Sequence, residues 1–378
     1  MRARRDRFCC VMTVLLALIA LPSGASELNW SPREDVIGES FGRGLHAAGE
    51  IGNLIYVSGG GFIGASQWGS FQSTIAYDPG TDSWSVRTAM PTRRTAPGSA
   101  VARYMGQERL YVIGGADLTD FPLFHFTHPD IEEYDPIADS WQTVGTGMPD
   151  GASTWGTCAV VHDNLIFIMG GTTDSFGGAS TRIAAYDPDT DSYTSLTPMP
   201  SGVSDGACAV VDNSIYYFGG YLSGWWGAPP NSLVFIYDIN DNSWQTAMTA
   251  MPVPRANAAA IAIGASVYIV GGWDGSGTYG GLYNTVDAYD TTLDQWTVGV
   301  PDPLGCVADD GFSVKGRSGL TLHQANDGVS DHVYAVGGNI GISVPTRCNE
   351  SAPLPFVGMI FADGFESGDT TAWTMTAP

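Results

Sequence analysis

Positive charge is scarce in this sequence of 378 residues, where 16 Lys and Arg stand against 39 Asp and Glu, a formal net charge of −23 at pH 7. A chain with so many carboxylates offers no broad surface to a polyanion, which excludes nucleic acid as a principal partner. The sequence also lacks a Gly-x-Ser-x-Gly nucleophile elbow, a His-Glu-x-x-His motif and a phosphate-binding glycine loop. We therefore expect no metal ion and no cofactor.

Long apolar runs are missing except at the N-terminus. The stretch 8–21 is apolar, follows a cluster of arginines and precedes Pro-Ser-Gly-Ala. Its length is short for a membrane span and its flanks are typical of a signal peptide, so we predict a signal peptide over 1–25, cleaved after Ala25. An uncleaved anchor is the alternative. The mature chain is expected to be secreted or periplasmic, with no membrane span.

Cysteine is also rare, and only four cysteines lie outside the predicted signal peptide. Cys158 in Thr-Cys-Ala-Val-Val and Cys208 in Ala-Cys-Ala-Val-Val occupy similar places in neighbouring repeats, and we interpret both as small buried apolar residues. Cys306 and Cys348 lie in irregular segments near the end of the chain. Because exported proteins keep disulfides, we predict a bridge between these two.

Glycine is abundant, with 49 residues, and a Gly-Gly pair follows an apolar run six times. The runs are rich in β-branched and aromatic residues and are apolar on both faces, which indicates strands buried between layers. The pairs begin at Gly59, Gly114, Gly170, Gly219, Gly271 and Gly337.

A second signature follows each of the first five pairs. It reads Tyr-Asp, three residues, Asp or Asn, one residue and an aromatic, which predicts a hairpin with a tight turn. A strand of small residues then precedes the next apolar run. One repeat is therefore interpreted as a four-stranded sheet with a small inner strand and an aromatic outer strand. The instances begin at Tyr77, Tyr134, Tyr186, Tyr237 and Tyr289.

These residues resemble the kelch motif, whose family fold is the β-propeller. The resemblance implies an all-β, six-bladed propeller over 26–354. The sixth repeat departs from the pattern because no clear Tyr-Asp hairpin follows Gly338. We predict that the N-terminal segment Asn29-Trp30-Ser31 supplies its outer strand and closes the ring, which leaves no sheet edge exposed.

The last residues, 355–378, do not continue the repeat. They are similar to a short tail motif found at the ends of exported bacterial proteins, which implies a sorting or processing role. An edge strand or an unstructured end is the alternative.

One face of a propeller carries the loops between strands two and three and the connections that enter the inner strands. Arg43 and Arg255 lie on such connections, 16 residues before their Gly-Gly pairs. Arg94 and Arg317 lie 20 residues before theirs, in repeats with a longer first hairpin. We predict that all four occupy one structural position.

Four converging guanidinium groups would form a central pocket for a carboxylate or phosphate, so these arginines are our first candidates for ligand binding. The alternative is that each packs on a neighbouring blade and caps its carbonyls. Thr154 and Val203 occupy the same position in the third and fourth repeats.

The loops between strands two and three are rich in aromatic residues. Trp225, Trp226 and Trp273 are the ones we predict to bind a ligand, because exposed aromatic rings stack on sugars or anchor protein interfaces. The alternative is that such aromatics pack on each other and hold glycine-rich loops in place.

These observations favour a monomeric, secreted binding module that recognises an extracellular glycan or protein through this loop face. A resemblance to kelch sialic-acid mutarotases implies an alternative, an enzyme acting on an acidic sugar. Arg94 and Arg255 would then hold the substrate carboxylate, and Glu50, Asp205 or His46 would transfer protons. Galactose oxidase, a copper enzyme, is also built on kelch blades, but its site draws on a further domain that we do not expect here.

Overall fold

A computed structural model describes most of the chain. The described residues are 31–37, 42–63, 68–119, 126–145, 149, 154–172, 178–222, 229–247, 249–276, 281–301, 316–340, 344–345 and 347–354. The predicted signal peptide, the tail 355–378, Trp225 and Trp226 lie outside these ranges. Within them, no helix has the length and apolar character needed to span a bilayer.

Six four-stranded antiparallel sheets make up the molecule, which confirms the predicted six-bladed propeller. Strand β1 (Ser31–Pro32) belongs to the last blade. Blade one has β2 (Ala47–Ile51), β3 (Leu54–Ser58), β4 (Gly61–Ile63), β5 (Trp68–Ser70), β6 (Thr74–Asp78) and β7 (Ser83–Arg87). Blade two has β8 (Gly98–Tyr104), β9 (Gln107–Ile113), β10 (Ala116–Asp117), β11 (Phe126–Thr127), β12 (Ile131–Asp135) and β13 (Ser140–Val144).

The remaining blades repeat this order. Blade three has β14 (Trp155–His162), β15 (Leu165–Thr172), β16 (Ile183–Asp187) and β17 (Ser192–Ser195). Blade four has β18 (Ala207–Val211), β19 (Ser214–Phe218), β20 (Val234–Asp238) and β21 (Ser243–Thr246). Blade five has β22 (Ala259–Ile263), β23 (Ser266–Val270), β24 (Thr285–Asp290) and β25 (Gln295–Pro301). Blade six has β26 (Thr321–Asn326), β27 (Asp331–Val336), β28 (Asn339–Ile340), β29 (Val344–Pro345) and β30 (Asn349–Pro353).

The core lies between the blades because the second and third strands are apolar on both faces. In β15, Phe167 and Met169 pack against blade four, whereas Ile166 and Ile168 pack against blade two. Adjacent residues of a strand point to opposite sides, so one strand contributes to two interfaces. This arrangement confirms the sequence-based interpretation of strands buried between layers.

The Tyr-Asp hairpins tie neighbouring blades together at their outer edges. The hydroxyl of Tyr134 donates to Asp139, and the same carboxylate oxygen accepts the backbone N–H of Thr88 from the connection that leaves blade one. The indole of Trp141 donates to the carbonyl of Thr88. The same tyrosine contact recurs between Tyr77 and Asp82, Tyr186 and Asp191, Tyr237 and Asn242, and Tyr289 and Asp294.

The N-terminal strand closes the ring. Ser31 and Pro32 in β1 pair with Ser351 and Glu350 in β30 and form the outer strand of blade six. Val36, which follows, is buried in the cluster between blades six and one. The predicted closure by the N-terminal segment is therefore confirmed at Ser31, while residues 29 and 30 lie outside the described ranges.

Cys158 and Cys208 form a disulfide, so interpreting them as unlinked buried thiols was wrong. Cys158 pairs with Met169, directly before its Gly-Gly pair, whereas Cys208 pairs with Tyr217, two residues before Gly219. This offset of one residue turns Cys158 towards blade four and Cys208 towards blade three. The similar local sequences concealed the offset.

Cys348 is also disulfide-bonded, and its partner lies outside the described residues. The bridge between Cys306 and Cys348 stays a prediction.

Candidate functional site

The four arginines and their counterparts do occupy one structural position. The backbone carbonyl of Arg94 accepts the N–H of Gly60, the second glycine of the preceding blade, at 2.7 Å. A Cβ atom on Gly219 would lie 2.3 Å from the carbonyl oxygen of Arg255, which explains why the first glycine of the pair has no side chain. The other carbonyl pairs are Arg43 with Gly338, Thr154 with Gly115, Val203 with Gly171, Arg255 with Gly220 and Arg317 with Gly272.

The guanidinium groups, however, are fully buried within their own blades. Each arginine is at most 1% exposed and donates from Nη1 to the carbonyl of the first glycine of its own Gly-Gly pair. The acceptor carbonyls are Gly59 for Arg43, Gly114 for Arg94, Gly271 for Arg255 and Gly337 for Arg317.

Three of these arginines are also paired with carboxylates of the third strand or of the loop before it. Arg94 contacts Asp130 at 2.9 Å and Glu132 at 3.3 Å. Arg317 contacts Glu350 at 2.6 Å, and Arg255 is paired with Asp287.

Arg43 donates to the carbonyl and hydroxyl oxygens of Ser73 in the connection before the third strand of its blade.

This geometry corrects the predicted anion pocket. The arginines hold the ends of strands two and three together, and the charges of Arg94, Arg255 and Arg317 are balanced inside their own blades. The contacts therefore support the alternative in which the arginines cap carbonyls, but the carbonyls belong to the same blade and not to a neighbouring one.

Two residues after each of these positions, the backbone forms a closed ring around the axis. One residue from each blade donates its N–H to the carbonyl of the corresponding residue in the preceding blade, at 2.7–2.9 Å. All six have a positive φ between 50° and 65°, so the chain turns sharply before it enters the inner strand. We call this the amide ring; its members are Leu45, Ala96, Gly156, Asp205, Asn257 and Gly319.

A central cavity of about 350 Å³ lies along the inner strands, and the amide ring forms part of its wall. Small residues from every blade line it, which agrees with the small inner strands expected from the sequence. Its polar side chains are those of His46, Ser99, Thr157, Asp205, Asn257, Thr321 and His323.

The two histidines are uncharged at neutral pH. Burial, with the nearby positive charge of Arg43 and Arg317, lowers the pKa of His46 well below its usual value, and burial lowers the pKa of His323 to about 4. Nε2 of His46 lies 3.0 Å from the hydroxyl of Thr321. Nδ1 of His46 and Nε2 of His323 are buried without a hydrogen-bond partner in the described part of the chain.

Asp205 is the acidic group of the cavity. It is 7% exposed, and burial raises its pKa to about 6. Its carboxylate lies over Gly156, where a Cβ atom would stand 2.7–2.8 Å from the carboxyl group. No cationic side chain of the described residues forms an ion pair with it.

Of the three candidates for proton transfer, two line the central cavity and one does not. His46 and Asp205 line the same cavity, on blades that stand opposite each other in a six-membered ring. Glu50 lies at the other end of its inner strand, where its carboxylate accepts the backbone N–H of Asn53. Burial raises the pKa of Glu50, but this residue is not part of the cavity wall.

The loops between strands two and three form β-ribbons in three consecutive blades. These ribbons are β28–β29 of blade six, β4–β5 of blade one and β10–β11 of blade two. Ser70 links two of them, because its hydroxyl lies 2.8 Å from the hydroxyl of Thr95 and accepts the N–H of Leu118 at 2.9 Å. The three ribbons contact one another and form a continuous wall on one side of this face.

Trp273 is the one predicted aromatic ligand residue within the described ranges. It is 7% exposed, and its ring packs against Tyr221 at a centroid distance of 6.4 Å, with Ala256 and Leu282 beside it. These contacts hold the loops of blades four and five together, which is the packing alternative. No ligand role follows from this position.

Known proteins match the sequence and the fold. Residues 42–91 match the Kelch motif, and residues 156–340 match the KLHDC2/KLHL20/DRC7 Kelch-repeats domain. The structure of YjhT superposes with a TM-score of 0.63 at 14% identity, covering 83% of this chain and 96% of that one. The chain belongs to the kelch-repeat family.

Curated relatives are similar to much of this chain, and the matched region spans only part of each relative's own length. Kelch-like protein terF of Aspergillus terreus is 26% identical over 325 residues, which cover 81% of this chain and 69% of that protein. Kelch-like protein 25 of Xenopus tropicalis is 30% identical over 250 residues, 65% of this chain and 39% of the relative. Alpha-scruin of Limulus polyphemus is 27% identical over 270 residues, 66% of this chain and 27% of the relative.

Proposed function

We propose that this chain is an exported binding module that recognises an extracellular protein. The wall of three joined β-ribbons beside the mouth of the central cavity carries this proposal. Ordered loops on a rigid scaffold are the usual place for recognition in such folds. The family supports a protein-interaction role in general terms, and the predicted signal peptide is the reason for placing the partner outside the cell.

The charge of the partner follows from the buried arginines. Arg94, Arg255 and Arg317 are neutralised within their blades, so these three arginines do not offer their charge to an acidic ligand. The chain as a whole carries a net charge of −23. We therefore propose a neutral or basic partner surface.

Two exposed threonines on opposite faces give a matched test. Thr119 follows β10 in the ribbon of blade two, whereas Thr81 lies in the turn between β6 and β7 of blade one, on the other face. Immobilised mature protein is presented with extracellular proteins and with a glycan array. We expect Thr119→Arg to weaken capture of the protein partner and Thr81→Arg to leave it unchanged. Equal losses in both variants, or binding to glycans alone, would overturn the proposal.

A mutarotase-type enzyme is the second candidate, because His46 and Asp205 share one cavity. This activity on an acidic sugar needs another group to hold the carboxylate, since Arg94 and Arg255 are already paired. NMR of anomerically pure sialic acid measures the reaction directly. Interconversion of the anomers at the uncatalysed rate would eliminate this candidate.

A further inference from the structure

We propose that the central cavity binds a primary ammonium group, with the carboxylate of Asp205 as its counter-ion. This inference deepens the proposed function, because it names a chemistry by which a basic partner would be anchored at the centre of the ribbon face. It also holds for a small free amine.

The first observation is the missing countercharge. Asp205 is 7% exposed and is paired with no cation of the described residues, whereas the buried carboxylates of Asp287 and Glu350 each have an arginine. A buried charge without a partner is costly, and a bound cation would relieve this cost. The raised pKa of Asp205, about 6, reflects the same deficit.

The second observation is the geometry around the carboxylate. Asp205 occupies the amide ring with φ 56°, and its carboxyl group lies over Gly156, whose missing Cβ leaves the space. Both residues line the 350 Å³ cavity. The carboxylate is thus held by the backbone ring beside a space large enough for an alkylammonium chain.

The third observation is that the other polar groups of the cavity are uncharged. His46 and His323 are neutral, and the neutral Asn257 neighbours Asp205 in the amide ring. An ammonium group offers three N–H donors and accepts nothing, so it suits a cavity with one carboxylate and otherwise neutral polar groups. A carboxylate ligand would instead meet the charge of Asp205.

The other titratable groups near Asp205 keep the same charge near neutral pH. Burial raises the pKa of Tyr217 and Tyr221 far above their usual values, so both remain uncharged. The histidines across the cavity stay neutral down to low pH. Loss of amine binding on acidification would therefore follow protonation of Asp205.

The test measures binding of n-butylammonium to the folded mature protein by titration calorimetry at pH 7.5 and at pH 5.0. We expect saturable binding at pH 7.5 that is about 10-fold weaker at pH 5.0, because a carboxyl with pKa about 6 is then mostly protonated. n-Butanol has a similar shape without the charge and should not bind. Absence of saturable butylammonium binding, or equal binding of butanol, would refute the site.

A matched pair of variants assigns the site. Asp205→Asn keeps the shape and tolerates the positive φ, as Asn257 does in the same ring. Asp212→Asn is the control, because Asp212 is exposed on the same blade with φ 52° but lies in the turn between β18 and β19. We expect at least a 10-fold loss in the first and none in the second. Unchanged affinity in a folded Asp205→Asn protein would overturn the proposal.

The source of the ammonium is decided by a second ligand. A blocked Gly-Lys-Gly peptide that binds more tightly than butylammonium indicates a lysine side chain of a protein partner, and weaker or equal binding indicates a free amine. Because no partner protein is present in this experiment, its failure leaves the ribbon-face proposal to its own test with Thr119→Arg.

Discussion

Cys158 and Cys208 join the inner strands of blades three and four through a disulfide, with their Cα atoms 6.2 Å apart. These are the two blades in which Thr154 and Val203 replace the buried arginine. The covalent link therefore lies where the arginine contacts of the other blades are missing.

Removing this bridge should lower stability without changing the fold. The loop it closes spans 50 residues, for which the chain-entropy model gives about 4 kcal/mol. We expect the Cys158→Ala/Cys208→Ala double variant to unfold at a lower urea concentration, with a free energy of unfolding reduced by about this amount. The control is a non-reducing peptide map, which should show Cys158 linked to Cys208 and Cys306 linked to Cys348. Recovery of alkylated Cys158 from the native protein would contradict the first bridge.

Breaking one arginine pair should affect stability rather than binding. Arg255→Met leaves Asp287 buried without its partner, and such a change typically costs about 3–5 kcal/mol. We expect a lower unfolding midpoint and, in the fraction that folds, unchanged partner capture. A double variant with Asp287→Leu should recover much of the loss. A folded Arg255→Met protein that has normal stability but no longer captures its partner would restore the ligand role.

Asp205 should make the protein more stable as the pH falls from 6 towards 4. Its folded-state pKa of about 6 exceeds the usual 3.8, so the folded state binds more protons in this window and stability decreases as pH rises through it. The difference in the free energy of unfolding is about 3 kcal/mol at neutral pH. We expect Asp205→Asn to be the more stable protein at pH 7.5 and to lose this advantage near pH 4.

His323 affects stability in the opposite direction. Its pKa in the folded state is about 4, below the usual 6.5, so the free energy of unfolding decreases as the pH falls through this range. The comparison of Asp205→Asn with the parent protein at each pH, by urea denaturation, removes the histidine contribution. An identical pH dependence in both proteins would show that Asp205 is not the titrating group.

Deleting the closing strand should expose an edge. Without residues 26–37, β30 loses its pairing with Ser31 and Pro32, and the cluster between blades six and one loses Val36. An unpaired edge invites pairing with another chain, so we expect oligomers by size-exclusion chromatography with light scattering. A chain beginning at residue 31 keeps the strand and should remain monomeric. A monomeric deletion variant would mean that the edge is protected in some other way.

Much of the fold could be predicted because each structural requirement recurs in the sequence. Gly-Gly pairs are needed where the carbonyl of the next blade approaches, as that of Arg255 approaches Gly219. The Asp or Asn of the hairpins accepts an N–H from the neighbouring segment, as Asp139, Asp191 and Asn242 do. Closure by the N-terminus followed from the missing hairpin of blade six. Recurrence of a residue type at one place in each repeat therefore predicts its equivalent position in each blade.

The role of the arginines could not be predicted from their positions alone, because a periodic pattern does not say whether a charge has a partner. A signal was nevertheless present. Glu132 and Asp287 stand two residues before the tyrosines of the blades that carry Arg94 and Arg255, whereas Ala184 and Phe235 stand there in the blades without arginine. Charges that are present together in blades two and five and absent together from blades three and four indicate a buried pair, whereas blade one, with Arg43 and Ile75, departs from this pattern.

The amide ring also governs how such a molecule is built up or taken apart. Each of its six members donates to one neighbour and accepts from the other, so the annulus is complete only when the last blade has docked. A fragment with five blades would leave an orphaned donor and an orphaned acceptor at the hub, besides an open seam. The domain is accordingly a single cooperative unit, and a gain or loss of one repeat during evolution demands a new hub geometry.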